Sequence, residues 1–128
     1  MGNRLPIVWV RGAPFVQVTL NGEPMLALID TGADHVYLDP AVIDRLIMAT
    51  IRFGDVSAAN NTTRNNRVVR AHLAFPEAEV KFALDGYEVG LHSTGREYGL
   101  LLGRSFLALG ILHLDYIAGD HWFEFGPI

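Results

Sequence analysis

The chain has 128 residues, of which 50% are hydrophobic and 19% are charged, and its formal net charge is −4. This length fits one domain spanning residues 1–128, and the composition excludes a chain that is disordered throughout. The negative charge gives no electrostatic reason to expect nucleic acid or an anionic membrane as a partner.

The N-terminal residues lack the apolar core of a signal peptide. The most hydrophobic window, Leu100–Leu114, contains Arg104 and His113 and is too short to span a bilayer. The sequence therefore predicts a cytoplasmic protein without a membrane partner. Cysteine is absent, which excludes disulfides and thiolate metal sites, and the five scattered histidines form no helical pair. We expect no metal and no cofactor.

The first half of the chain predicts strands followed by a short helix. Alternating β-forming residues predict strands at Phe15–Leu20 and Met25–Ile29, and Asn21-Gly22 between them is a strong hairpin signal. Val36–Leu38 predicts a third, brief strand. An aspartate N-cap followed by proline then predicts a helix over about residues 40–46.

The second half predicts further hairpins. A long hairpin with a polar tip is expected at about residues 51–73, followed by a strand at Val80–Leu84 and a turn at Asp85-Gly86. Ser105–Leu109 predicts a short helix ended by Gly110, and a last hairpin is expected at about residues 111–125. Many short strands with one or two short helices predict a mostly β barrel or sandwich.

The segment Ala27–Asp34 is an apolar strand that delivers Asp30 into a tight turn. A carboxylate that activates water must be held rigidly and beside a group that tunes its protonation. In this turn Thr31 offers a hydroxyl that can bond backbone across an interface, and Gly32 permits close approach of backbone or substrate. An ordinary alternative is that Asp30 only caps the turn, as aspartate often does at the end of a strand.

A single aspartate with an ordinary pKa is fully ionised and cannot also donate a proton, whereas two carboxylates within hydrogen-bonding distance share one proton. The sequence contains a single Asp-Thr-Gly, and Ser93-Thr94-Gly95 lacks the carboxylate. A pair therefore requires a second copy of Asp30, and in a C2 dimer a residue on the axis meets its own copy. If the chain is catalytic, it must form a homodimer.

Three segments carry a resemblance to a known family: Val18–Gly22, Ala27–Asp34 and Leu101–Leu107. In this order they resemble the signatures of the retropepsin-like aspartic proteases, and the resemblance covers about Phe15 to Tyr116. It implies a single-domain, mostly β closed barrel or sandwich that forms a C2 homodimer. It also implies an aspartic endopeptidase that hydrolyses peptide or protein substrates.

The resemblance also implies roles for individual residues. Asp30 corresponds to the catalytic aspartate, and Thr31 to the residue that forms interlocking hydrogen bonds between the subunits. Arg104 corresponds to a residue that pairs with Asp34 and braces the active-site turn. The residues that would line the cleft and meet the substrate backbone are Gly32, Ala33 and Asp34.

Two regions depart from the family pattern. The hairpin at residues 51–73 stands where the family has a glycine-rich flap, but its tip is polar. The tip residues are Asn60, Asn61, Thr62 and Thr63. The second departure is the extra C-terminal hairpin. The polar tip leaves open an alternative function, a catalytically inactive dimerisation or peptide-binding module with the same fold.

Four arginines and one aspartate lie between residues 52 and 70. A solvated strand face is the ordinary interpretation, and a preference for acidic substrate positions is the alternative. The arginines are Arg52, Arg64, Arg67 and Arg70. His35, which follows Asp34 directly, is expected to face solvent in the turn, and contact with the cleft is the alternative.

Overall fold

The computed structural model describes residues 3–58 and 61–127. These residues form mostly β-strands, with two short α-helices and short 3-10 turns at Pro76–Ala78 and His92–Thr94. The helices are α1 (Pro40–Arg45) and α2 (Arg104–Leu107). The strands are β1 (Arg4–Pro6), β2 (Val8–Val10), β3 (Ala13–Leu20), β4 (Glu23–Ile29), β5 (Val36–Leu38), β6 (Thr50–Ala58), β7 (Asn61–Phe75), β8 (Val80–Glu88), β9 (Leu100–Leu102), β10 (Gly110–Asp115) and β11 (Asp120–Phe125).

Two sheets form the fold. Within the described residues, eight strands form one sheet in the order β2-β3-β4-β9-β5-β8-β7-β6, and three form another in the order β1-β11-β10. Thr19 also pairs with Ala74, and Leu20 with Leu73, which joins β3 to β7. The expected mostly β class is confirmed. The single domain, the closed barrel and the homodimer stay predictions.

The first hairpin and the first helix form where the local sequence predicts them. Asn21 and Gly22 both have positive φ, as a tight two-residue turn between β3 and β4 requires. Asp39 caps α1, because its Oδ2 accepts a hydrogen bond from the Ala41 backbone N–H at 3.0 Å and Pro40 stands at the start of the helix. Each of these features depends on neighbours in the sequence, so the prediction needed no tertiary information.

The predicted turn at Asp85-Gly86 is wrong, because both residues lie inside β8. Gly86 pairs with Val36 on one side and with Val69 on the other. A Cβ at this position would lie less than 3.0 Å from the Leu38 side chain. The glycine is therefore explained by close packing between strands rather than by a turn.

The second helix is also shorter than predicted. It ends at Leu107, and Gly110 begins β10 instead of ending the helix. A Cβ on Gly110 would lie 2.9 Å from the carbonyl carbon of Glu124 and closer still to its oxygen. The close approach of β11 explains this glycine.

Phenylalanine side chains join the C-terminal hairpin to the main core. Phe106 of α2 contacts Phe123 and Phe125 of β11 at ring-centroid distances of 4.6 and 5.8 Å. Phe75 of β7 lies 5.4 Å from Phe106, and Phe82 of β8 lies 5.7 Å from Phe75. The hairpin formed by β10 and β11, expected at about residues 111–125, thus contributes to the core on which α2 rests.

None of the helices in the described part of the chain has the length and apolar character needed to cross a membrane. The cytoplasmic location stays a prediction.

Candidate active site

Asp30 is half-buried and follows β4 directly. Its backbone N–H donates to the Leu102 carbonyl at 3.1 Å, which ties the turn to β9. Its carboxylate Oδ1 accepts the Gly32 N–H at 2.9 Å, and its carbonyl accepts the Ala33 N–H at 3.3 Å. These three hydrogen bonds fix both the backbone and the side chain of Asp30.

Strand β9 forms the base of this turn. It lies between β4, to which it is parallel, and β5, to which it is antiparallel. All of Leu100–Leu102 is buried, as expected for a central strand with neighbours on both sides. The two segments singled out by sequence, one around Asp30 and one around Gly103, are therefore brought together.

Gly103 permits the chain to pass beneath the turn. A Cβ here would lie 2.5 Å from the Ala33 carbonyl oxygen and closer still to that of His35, and both are backbone atoms. The Gly103 N–H donates to the His35 carbonyl at 3.0 Å, and the Arg104 N–H donates to the Ala33 carbonyl at 2.8 Å. Any larger residue must displace the backbone that supports Asp30.

The Arg104 guanidinium donates to Asp34 Oδ1, so the two residues form an ion pair. The side chains remain 63% and 54% exposed. Arg104 starts α2 with its side chain in solvent, while Phe106 supplies the buried side of the helix. Such an exposed pair stabilises the fold by only about 0–1 kcal/mol.

An apolar cluster lies beside Asp30. Its buried members come from β5, β6, β9 and the loop before β9: Tyr37, Val56, Leu91 and Leu101. Leu28, Ala33, Tyr87, Val89 and Tyr98 pack against them. Because Val56 belongs to the β6–β7 hairpin, this hairpin contacts the strands that carry the aspartate turn.

The tyrosines of this cluster are within electrostatic reach of Asp30. Burial raises the pKa of the Tyr37 phenol above its ordinary value, and the negative charge of Asp30 adds to the shift. Burial also raises the pKa of Tyr98, again with a contribution from Asp30. Both phenols therefore remain neutral beside Asp30 at physiological pH.

The β6–β7 hairpin supplies the predicted flap region. Thr62 and Thr63 are exposed and pair with Ser57 and Val56. Thr63 Oγ1 also accepts a hydrogen bond from the Asn66 side-chain amide at 3.0 Å. Asn61 begins β7, and Asn60 lies outside the described residues. The role of this hairpin as a flap stays a prediction.

His35 does not face solvent as expected. It is half-buried, and its ring stacks on Tyr87 at a centroid distance of 4.4 Å and an angle of 19°. No local pattern indicates this contact, because Tyr87 lies on β8, more than fifty residues away. A position for Tyr37 near the site was weakly indicated by the sequence, because this aromatic residue lies in the short apolar strand that follows the Asp30 turn.

Thr31, Gly32 and Asp34 are exposed, and Ala33 is half-buried. These residues surround Asp30 on the surface of one chain. Their proposed contacts with substrate and with a second subunit stay predictions.

Within residues 3–58 and 61–127, no three His, Cys, Asp or Glu side chains cluster closely enough to hold a metal ion.

Comparisons with known proteins add to this geometry. A family model described as aspartyl protease matches residues 16–106, which is more than half of the chain. A comparison with curated proteins gives no significant match.

Solved structures share the fold. A retropepsin-like aspartic protease from Rickettsia conorii has a TM-score of 0.69 at 17% identity, and the match covers 95% of this chain and 90% of that one. The EIAV protease in complex with the inhibitor HBY-793 has a TM-score of 0.58 at 18% identity, covering 79% and 90% of the two chains. The retroviral protease-like domain of Ddi1 from Leishmania major has a TM-score of 0.54 at 15% identity, covering 90% and 94%.

Proposed function

The chain belongs to the aspartyl protease family, and from this premise we propose that it is an endopeptidase active as a homodimer. The observation that carries the proposal is the geometry of Asp30. Its carboxylate is held at the end of a strand by the Gly32 N–H, next to an apolar cluster that a peptide could cover. A positioned carboxylate beside an apolar surface is what water activation requires.

The homodimer follows from the chemistry of the reaction. One carboxylate can act as a base, but a second, protonated one is needed to polarise the carbonyl of the substrate. Thr31 and Gly32 are exposed next to Asp30, so this edge is accessible to a second copy of the chain. A C2 axis at this edge would bring Asp30 close to Asp30 of the partner subunit.

In the proposed reaction the ionised Asp30 removes a proton from a water molecule, and the water oxygen attacks the scissile carbonyl carbon. Asp30 of the partner subunit donates its proton to the carbonyl oxygen, which gives a neutral tetrahedral diol. Asp30 then transfers the proton taken from water to the leaving nitrogen, the C–N bond breaks, and a diol proton returns to the partner's Asp30. The pair thus ends with the one proton it started with.

The substrate would lie in an extended conformation between the apolar cluster and the β6–β7 hairpin. Side chains of the peptide would contact the partly exposed members of the cluster, such as Leu28, Ala33 and Tyr98. The polar Thr62 and Thr63 would supply hydrogen bonds to the peptide backbone, where an apolar tip would supply contact area.

The test compares the wild-type protein with Asp30→Asn on a mixed peptide library. We expect the variant to lose cleavage, whereas Asp44→Asn, which changes an exposed carboxylate on α1, retains it. A mixing experiment tests the dimer. If the subunits exchange, about one quarter of the dimers in an equal mixture have two intact carboxylates, and activity per wild-type chain falls to about one half. Equal cleavage by wild type and Asp30→Asn would refute the proposal.

The polar hairpin tip supports a second candidate, an inactive peptide-binding or dimerisation module. A statine-containing peptide, whose hydroxyl mimics the tetrahedral intermediate, separates the two. The protease should bind it stoichiometrically and lose most of this affinity in Asp30→Asn. A dimer that does not bind statine would support the module.

A further inference from the structure

A cavity of about 390 Å³ is bounded by residues of β7, β8, α2 and the loop before β5. Its polar lining comes from four elements or loops that are distant in sequence: His35, Arg70, Asp85, Tyr87 and Ser105. Ala83 and Leu84 complete the lining. The proposed peptidase mechanism makes no use of these side chains.

The charges around this cavity are unequal. Asp85 accepts from Arg70 at 2.8 Å and from Arg52 at 2.7 Å, so two guanidinium groups share one carboxylate. Arg52 also donates to the Tyr87 hydroxyl at 3.1 Å. Hydrogen bonds from Arg52 and Arg70 lower the pKa of Asp85, which keeps it ionised. The group therefore carries a net positive charge at neutral pH.

Arg67, on the same strand as Arg70, has a different environment. It pairs with Glu88 at 2.7 Å and with Asp44 at 2.8 Å, so its charge is balanced by two carboxylates. The net positive charge beside the cavity therefore comes from Arg52 and Arg70, and Arg67 adds nothing to it.

Ser105 supplies an independent indication of a ligand. Its Oγ is buried, and it has no hydrogen-bond partner within the described part of the chain. A buried hydroxyl without a partner is costly, and each such group needs an explanation. Because Ser105 also lines the cavity, rotation about its χ1 bond would turn the hydroxyl toward an acceptor there, and a carboxylate oxygen next to the arginines would be the strongest such acceptor.

The cavity shares Tyr87 with the apolar cluster beside Asp30. Leu28, Leu101, Tyr37 and Tyr87 are direct neighbours across β4, β9, β5 and β8. This row begins two residues before Asp30 and ends at Tyr87, which contacts both the cluster and the cavity. The two ends of the row, Leu28 and Tyr87, are partly exposed, so an extended peptide that passes over the row would place a side chain over the His35–Tyr87 stack.

We propose that this cavity is a substrate subsite that takes the carboxylate of an aspartate or glutamate side chain. The inference rests on the proposed peptidase function and adds a substrate class to it. Ser105 Oγ and the Arg70 guanidinium donate hydrogen bonds to the carboxylate, and the His35–Tyr87 stack forms the wall along which its methylene groups pack. The subsite selects against glutamine, because a neutral side-chain amide lacks the negative charge that Arg52 and Arg70 attract.

The test uses statine peptides that carry either Glu or Gln, in matched pairs, at each of the flanking positions. We expect one position at which Glu binds more tightly than Gln to the wild-type protein. Ser105→Ala and Arg70→Gln should each lower this Glu-to-Gln affinity ratio by about tenfold. The matched control is Arg4→Gln, because Arg4 is 55% exposed in an ion pair with Glu124, as Arg70 is 53% exposed in its own.

The outcomes separate this proposal from the proposed function. Cleavage that needs Asp30, without a Glu preference or with a preference unchanged in both variants, overturns the subsite and leaves the peptidase. A Glu preference that both variants lose, in a protein that cleaves nothing, supports the subsite and overturns the activity. If no statine peptide binds, both proposals fall. If free glutamate or inorganic phosphate alters cleavage of uncharged peptides in the wild type and not in Ser105→Ala, the cavity is an effector site and the subsite is refuted.

Discussion

Gly103→Ala tests the idea that the active-site turn depends on backbone contact from below. The new Cβ would lie 2.5 Å from the Ala33 carbonyl oxygen and 2.9 Å from its carbon, so the backbone must move. Overpacking of this kind costs about 1–3 kcal/mol. The movement also weakens the hydrogen bonds from Gly103 to His35 and from Arg104 to Ala33, worth about 1 kcal/mol each. We expect the free energy of unfolding to fall by about 3–5 kcal/mol in total.

Urea unfolding of three alanine variants measures this effect. At Gly86 the obstructing atom belongs to the Leu38 side chain, which can move, so Gly86→Ala should cost less. At Gly126 the new Cβ would make only an ordinary contact of 3.5 Å with the Leu109 oxygen, and little change is expected. The reasoning is wrong if Gly103→Ala costs no more than Gly86→Ala.

Three further predictions concern charged groups. Asp39→Ala should lower the free energy of unfolding, measured in urea, by about 2–4 kcal/mol, because Asp39 is buried and accepts hydrogen bonds from the backbone N–H groups of Ala41 and His92. Asp39→Asn keeps one acceptor and should lower it by less. Because the folded-state pKa of Asp85 is lowered, its stabilising effect is complete above about pH 4 and is lost as the pH falls through the folded-state value. The difference in melting temperature between wild type and Asp85→Asn should therefore shrink on acidification, and a constant difference would contradict this. Arg104→Lys should lower the free energy of unfolding by less than about 1 kcal/mol, since the pair with Asp34 is exposed; a loss of several kcal/mol would show that the pair is buried in the protein as it exists in solution.

The parts of the fold that the sequence predicted are those encoded by adjacent residues. Asn21-Gly22 determines its own turn through positive φ, and Asp39 caps a helix two residues away. The aspartate turn and the segment at Gly103 were found because each has a recognisable local pattern. The two segments meet because β9 lies between β4 and β5. The family resemblance implied this contact, whereas the residue patterns alone did not predict it.

The features that sequence missed depend on contacts between distant segments. Gly86 and Gly110 resemble a turn residue and a helix stop, yet each is a glycine because another strand approaches it closely. His35 was expected in solvent because its local sequence is a polar turn, whereas Tyr87 on β8 supplies the ring on which it stacks. A local pattern is ambiguous wherever glycine or a polar aromatic residue has more than one structural use.

The Asp30 side chain has both a charge and a structural hydrogen bond, so the choice of substitution decides which of the two is tested. Its Oδ1 accepts the Gly32 N–H, and asparagine offers an oxygen at the same place, so Asp30→Asn removes the charge and leaves the turn hydrogen-bonded. Alanine would remove the acceptor as well, and the resulting loss of activity would not distinguish chemistry from local geometry. Because the remaining support of the turn comes from backbone groups of Leu102, Gly103 and Arg104, the amide variant should keep the architecture of the site. A loss of cleavage in Asp30→Asn is therefore evidence about the carboxylate itself.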